Sequence, residues 1–373
     1  MDPGITVIML AKNEEERMRR CLASLHGHVA AIVALVDPLS TDGTAQVVRK
    51  HGGLVLEPEW PGGFDAARNI CLEHVKTEWV LWLDADEWFE GGGAARLREL
   101  TKQRDAFCFG LIRQEVFGGG PQARSQVVRL WRSRPYVPFI GLVHEHLDTE
   151  SLDQAESPGK EYGTDVVINH DGYTPDVMAG KAARYVKLLE EELRRRPGQL
   201  FYQVKLACTL DLAQDPRAPA ALRELGDELL VLGDELDEAP IPAAEAFGPV
   251  LNAVPESDWH SARTDGLLRL GRAWFPDNPS VLWHVSQLEI RRGNMQAALR
   301  CLCDLEALAV SGRYDQRTPH YETMVGKGLY TNLALVAHQL GRSDIARRNY
   351  ERLLEIEPDN AVARQNIQLL QPR

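Results

Sequence analysis

The residues best placed to do chemistry follow an apolar run. Trp79-Val80-Leu81-Trp82-Leu83 ends abruptly in Asp84-Ala85-Asp86-Glu87. Acids this close repel one another in isolation. They become stable partners for a divalent cation, and Mn²⁺ or Mg²⁺ favours oxygen ligands shared with phosphates. A pair of solvated loop acids would read the same way, so this motif needs company. A second cluster is Gly141-Leu142-Val143-His144-Glu145-His146, again after apolar residues. His and Glu suit a general base and the group that orients it. The competing reading of His144 and His146 is an ordinary strand histidine. A third run, Val166-Val167-Ile168-Asn169-His170-Asp171, also ends in polar groups.

The elements around these groups alternate. Residues 5–10, 29–36, 54–56 and 79–83 read as short buried strands, and residues 14–25, 45–51 and 64–75 as helices between them. Such alternation implies a Rossmann-like α/β domain with a mostly parallel sheet. On such a sheet the acids of Asp84 and Asp86 fall at the carboxyl edge, where ligands bind. From about residue 105 longer strands are expected at 106–117 and 126–131, turning at Gly118-Gly119-Gly120-Pro121, with one more at 166–168. The domain is expected to span residues 1–173.

Residues 174–373 read as an all-α domain. The clearest segment, 327–359, carries Tyr330, Leu333, Ala334, Gly341, Ala346, Tyr350 and Pro358. That is the small/large alternation and closing proline of a 34-residue tetratricopeptide repeat. A weaker copy over 282–305 has Gly293, Ala298 and Leu302 at matching places, and 200–230 reads as a degenerate third. Gly293 and Gly341 lie 48 apart, which leaves an insertion of about 14 residues, expected at 311–320.

Composition narrows the function. There are 42 Lys plus Arg against 54 Asp plus Glu, a net charge of −12, which argues against general nucleic-acid binding. No apolar run approaches the ~18 residues of a membrane helix, so no membrane span is expected. Asp2 sits where a secretory signal would be positive. The six cysteines form no C-x-x-C pair and read as reduced thiols of a cytoplasmic protein.

Four motifs occur in order at strand ends: Ala11-Lys12-Asn13-Glu14-Glu15; Asp37-Pro38-Leu39-Ser40-Thr41-Asp42-Gly43-Thr44; Gly63-Phe64-Asp65-Ala66-Ala67-Arg68-Asn69; and Asp84-Ala85-Asp86-Glu87. With them, residues 5–90 resemble the nucleotide-binding half of family 2 glycosyltransferases of the GT-A fold. The resemblance implies an inverting transfer from a nucleotide-sugar donor, a UDP-sugar by default. It implies that Asp37 accepts from the N–H of a uracil-type base and that Ala11, Asn13 and Glu15 line the base and ribose. Arg68 is implied as a nucleotide or diphosphate contact, Asp84 as a ribose or sugar contact, and Asp86 as the ligand of Mn²⁺ or Mg²⁺. Pro38-Leu39 departs from the small residues usual after that first Asp. Asp42 competes as a helix cap, Asn69 as a structural hydrogen bonder, and Glu87 as a supporting or merely solvated acid.

The G-x-V-H-E run (141–145), the H-x-G-Y run (170–173) and the helical repeats resemble a subgroup of that family. It includes the bacteriocin-modifying peptide O- and S-glycosyltransferases. This implies Glu145, or His144 with Glu145, on the acceptor side as catalytic groups, and His170 as a third metal ligand. Lys181 and Arg184 either reach the leaving diphosphate or form a solvated face. The expected acceptor is a Ser, Thr or Cys of a peptide or protein. The alternatives are a saccharide or lipid-linked acceptor, or a repeat scaffold with a degenerate catalytic domain. A homodimer is allowed by the sequence and not required by it.

Overall fold

Strand β1 (Asp2–Ala11) lies at the centre because its residues are apolar on both faces. Val7, Ile8 and Met9 are all fully buried. Val7 and Met9 point into one apolar layer and Ile8 into the other, the alternation of a strand covered on both sides. The structure, a computed structural model, describes residues 2–117, 120–149, 151, 159–172 and 175–370. The chain continues through α1 (Glu15–Ser24), β2 (Ala31–Val36), α2 (Thr44–Lys50), β3 (Leu54–Leu56), α3 (Phe64–Leu72) and β4 (Thr77–Trp82). Helices α1 and α2 cover one face with Met18, Cys21, Leu22, Val47 and Val48. Helix α3 covers the other with Ala67, Cys71 and Leu72.

Next come β5 (Glu87–Trp88), α4 (Gly93–Leu100), β6 (Ala106–Phe117), β7 (Gly120–Arg132), β8 (Phe139–Ile140), β9 (His146–Leu147) and β10 (Lys160–His170). The main sheet runs β3-β2-β1-β4-β7-β6-β10-β5. Strands β3, β2, β1 and β4 are parallel, β7 runs against β4, and β10 lies parallel to β6. The α/β architecture expected from the alternation is present, but the sheet is mixed rather than mostly parallel, because β7 runs against β4 and β5 against β10. Helix α4 escapes the sequence reading because it starts at Gly93 after two left-handed glycines, where helix propensity is lowest. Residues 139–147 form a small hairpin: Phe139 pairs with Leu147 and Ile140 with His146, so residues 141–145 are its loop. Of the expected turn at 118–121, Gly118 and Gly119 lie outside the described residues, and Gly120 already begins β7.

The first compact unit comprises residues 1–121 and 125–195. It therefore runs past the expected boundary at 173, through helix α5 (Pro175–Arg195); Tyr173 and Thr174 lie outside the described residues. Ala182, Val186 and Leu189 bury one stripe of α5, and the buried Glu192 carboxylate accepts from the Leu142 amide at 2.9 Å. Packing, rather than helical class, puts α5 in this unit.

The second unit comprises residues 122–124 and 196–373. Its helices are α6 (Leu200–Leu212), α7 (Ala218–Glu235), α8 (Ala243–Asn252), α9 (Ala262–Trp274), α10 (Pro279–Arg291), α11 (Met295–Ser311), α12 (Glu322–Val325), α13 (Lys327–Gln339), α14 (Ser343–Ile356) and α15 (Ala361–Leu369). The short strand β11 (His320–Tyr321) pairs with Ala123 and Arg124. The repeat signature corresponds to physical roles. Gly293 and Gly341 are left-handed at the turns α10–α11 and α13–α14 (φ 73° and 69°). Five residues on, Ala298 and Ala346 are fully buried, and nine on, Leu302 and Tyr350 fill the core. The expected insertion falls on Gly312 to β11. No described helix is long and apolar enough to cross a membrane. All six cysteines are free thiols, four of them buried.

The repeat core gives a stability prediction. Tyr350→Ala empties a fully buried site and should cost about 3–5 kcal/mol in urea unfolding. Leu335→Ala, on the exposed side of α13, should stay within about 0.5 kcal/mol.

Candidate functional site

The carboxyl ends of β1, β2 and β4 sit together because Ala11 pairs with Val36 and Ile8 with Trp82. Three loops emerge there: 11–15, 37–44 and 83–87. The first two are laced by short polar side chains. Asn13 takes a left-handed backbone (φ 55°), and its Oδ1 accepts from the Thr41 amide at 2.8 Å. The Glu14 amide donates to Thr44 Oγ1, and the Glu15 amide to Asp42 Oδ2. Asp42 also accepts from the Thr44 amide. It therefore ties the starts of α1 and α2 together, which is the capping reading extended to two helices. Glu15 Oε2 accepts from the Gly43 amide, and a Cβ on Gly43 would collide with that carboxylate at 2.6 Å. Asp37 stands at the end of β2, joined to Ala11 by its own amide. Its Oδ2 accepts from Lys12 Nζ at 2.8 Å and its Oδ1 from the Leu39 amide at 2.8 Å. The Lys12 bond, then the Leu39 amide, hold this carboxyl below the usual range.

The third loop carries a buried ion cluster. Arg68 on α3 donates through Nη2 to Asp84 Oδ1 at 2.6 Å and through Nε to Glu145 Oε1 at 2.9 Å. Arg129 on β7 donates through Nη2 to Glu87 Oε1 at 2.5 Å and lies 3.4 Å from Asp84 Oδ2. Glu87 Oε2 accepts from the Asp84 amide. Both guanidiniums lie over the Trp82 ring, 4.3 Å from its centroid for Arg68 and 4.1 Å for Arg129, and Trp82 Nε1 donates to Asp84 Oδ1. Glu87 is wholly buried, so its solvated reading is overturned: the strand pairing of β5 turns it inward onto Arg129.

Three carboxylates here face two guanidiniums. Burial pushes Glu145 and Glu87 above the usual glutamate range, with Arg68 and Arg129 partly opposing it. Burial opposes ionisation of Asp84 too, but two arginines outweigh it and hold its pKa well below normal.

Asp86 turns the other way. Its Oδ2 lies 3.4 Å from His170 Nε2, because β10 ends where β5 pairs with it. Burial would lower the His170 pKa, but hydrogen bonds to Asp86 and Glu115 raise it to about 9. The histidine bond likewise lowers Asp86 against burial. Gly172 makes room for this pair: a Cβ there would fall 1.9 Å from Asp86 Oδ2 and 2.7 Å from His170 Nε2. One carboxylate and one imidazole at a cradle only glycine permits suit a cation whose other ligands come from a diphosphate. Among the described residues no group of three His, Cys, Asp or Glu side chains is arranged to hold a metal by itself.

The hairpin loop 141–145 closes the site beside Arg68. The Phe64 amide donates to Leu142 O, and Asn69 both donates to and accepts from the Phe139 backbone, confirming its structural role. His144 is not a strand residue. It adopts a left-handed backbone (φ 54°) in that loop, with its ring 6.0 Å from Tyr185; such conformations concentrate at functional sites. His146 lies in β9, its Nδ1 3.4 Å from the His144 carbonyl oxygen. Lys181 and Arg184 are exposed on α5, and the Arg184 guanidinium lies 5.6 Å from the Phe64 ring.

Arg129, Trp82 and Glu115 were missed as site residues. The signal available was a charge beside buried apolar positions: Arg129 next to Leu130 and Trp131, and Glu115 three residues after Ile112.

With this geometry in view, comparison with known proteins shows that residues 6–145 match the glycosyl transferase family 2 model. A TPR repeat-containing protein of Synechococcus elongatus is 31% identical over 219 residues, covering 57% of this chain and 54% of that protein. The glycosyltransferase SunS of Bacillus subtilis is 27% identical over 202 residues, covering 52% and 46%. The chain thus matches about half the length of these relatives. Among solved structures, S. aureus TarS 1–349 in complex with UDP-GlcNAc is 15% identical with a TM-score of 0.37, covering 84% of this chain and 93% of that one.

The cluster predicts its own stability. Arg129→Met leaves Glu87 buried without its partner and should destabilise the N-terminal unit by about 3–5 kcal/mol in denaturant unfolding. Arg96→Met, which breaks an exposed pair with Asp165, should be nearly silent.

Proposed function

We propose that this chain is an inverting glycosyltransferase that moves a sugar from a nucleoside diphosphate sugar, UDP-sugar favoured, to a hydroxyl or thiol of a peptide or protein. The observation that carries the reading is the arrangement at the strand ends. The Asp84–Asp86 tip, with His170 beside Asp86, shares one sheet edge with Asp37. The family 2 match over residues 6–145, which takes in Asp37, Asp84 and Asp86, supports transferase chemistry. The repeat unit supports a peptide acceptor, since such helical arrays present extended binding surfaces.

Asp37 accepts the imide N–H of the base, and the loop of Ala11, Asn13 and Glu15 bounds base and ribose. Arg68 and Asp84 form the polar wall toward the ribose and sugar, each holding the other in place. Asp86 and His170 hold Mn²⁺ or Mg²⁺, which when bound neutralises charge developing on the diphosphate. The acceptor attacks the sugar C1 as the C1–O bond to the diphosphate breaks, and that electron pair leaves with the phosphate oxygen. The acceptor proton passes to Glu145. Its Oε1 is committed to Arg68, so proton acceptance falls to Oε2, with His144 alongside in the same loop. Burial raises the pKa of this base, which brings it nearer to working pH.

Two measurements test this reading. Asp86→Asn should lower sugar transfer by at least about 100-fold, and EDTA should abolish wild-type transfer; full activity in either case refutes the metal assignment. The pH profile of kcat should show an acid limb, falling as Glu145 protonates, with its midpoint above the ordinary glutamate value of about 4.3. Glu145→Gln should remove that limb together with most of the turnover, while the melting-temperature rise caused by UDP persists. Transfer to peptides and not to free saccharides identifies the acceptor class.

A further inference from the structure

The parallel register of β10 against β6 sets His170 directly beside Glu115. Glu115 Oε2 lies 2.5 Å from His170 Nδ1. Its other oxygen, Oε1, lies 3.0 Å from Arg113 Nε, so both ends of the carboxylate are held. The imidazole is 4% exposed and Glu115 12%, which leaves the ring little freedom to turn. Its second nitrogen, Nε2, faces Asp86 across the cradle that Gly172 keeps open. A metal-ligating histidine almost always donates its other ring N–H to a carboxylate or carbonyl. That bond fixes the tautomer and the ring plane.

We propose that Glu115 is a positioning residue for the cation site: it accepts the Nδ1–H of His170 and so presents the Nε2 lone pair to a divalent ion shared with Asp86 and the donor diphosphate. Glu115 touches neither the ion nor the sugar. Arg113 holds it in turn, making a chain Arg113–Glu115–His170 that runs across two adjacent strands. The inference rests on the reading of Asp86 and His170 as ligands, and the experiment separates the two.

Mn²⁺ is titrated into the full chain in the presence of UDP, and free Mn²⁺ is followed by its six-line EPR signal. Glu115→Leu should raise the Mn²⁺ Kd by about 10- to 100-fold. Glu115→Gln keeps an acceptor oxygen without the charge and should fall between this variant and wild type. Circular dichroism checks folding; if the Leu variant does not fold, the Gln variant decides by the same criterion of weakened Mn²⁺ binding. In a transfer assay, saturating Mn²⁺ should restore Glu115→Leu turnover, a recovery that general damage to the sheet would not show. If His170→Ala and Asp86→Asn weaken Mn²⁺ binding but the folded Glu115 variants bind within twofold of wild type, the role of Glu115 is overturned. If neither His170→Ala nor Asp86→Asn weakens it, the ligand assignment itself fails, and the proposal with it.

Discussion

Burying like charges at a sheet edge demands partners of opposite sign, and that constraint organises the N-terminal unit. Asp84, Glu87 and Glu145 crowd around the end of β4. Two guanidiniums, from α3 and β7, enter between them and both lie over the Trp82 ring. A carboxylate in such a place is tolerable only with excellent hydrogen bonding. Four separate stretches of chain therefore meet at one residue: Asp84 binds Arg68, Arg129 and Trp82, while Arg68 carries the hairpin loop through Glu145. Asp86 meets His170 instead, because the pairing of β5 with β10 brings the two together.

Two different polar strategies meet at this edge. The loops after β1 and β2 are tied together by side chains of Asn13, Glu15 and Asp42 that accept from backbone amides. The tip after β4 uses long charged side chains and keeps an excess of carboxylate over guanidinium, which favours a cation. Asn13 and His144 both take left-handed backbones at this site; Asn13 is held by the Thr41 amide of the neighbouring loop, and the His144 ring lies beside Tyr185 of α5. Chemistry and rigidity are thus carried by different residues. Glu87 and Arg129 hold Asp84, and Asn69 holds the hairpin at Phe139.

The helical unit follows another logic. Its core is built from repeated small and large positions, with polar caps such as Asn278 and Asn360 accepting from the amides three residues on. Chemistry-bearing clusters are concentrated in the first unit.

Much of this was legible in the residues. The β–α alternation, the helical repeats with their left-handed glycines, the acidic tip and the family resemblance all rest on local signals: periodicity, turn chemistry and motif spacing. Asp42 reads as structural because a short polar side chain next to a helix start bonds backbone amides, whereas Asn69, inside α3, finds its partner only at Phe139, 70 residues away. Other features depended on which strand lies next to which. Glu115 sits 55 residues from His170 and Arg129 sits 45 from Asp84, and no local pattern encodes those distances. The burial of Glu87, the left-handed turn at His144 and the inclusion of α5 in the first unit are likewise consequences of packing. Sequence periodicity reports which face of an element is apolar; it does not report the neighbour that face will meet. Charge pairing in the interior is decided by that neighbour, so the sequence by itself determined the fold class and the candidate groups, and the tertiary structure alone decided how they are paired.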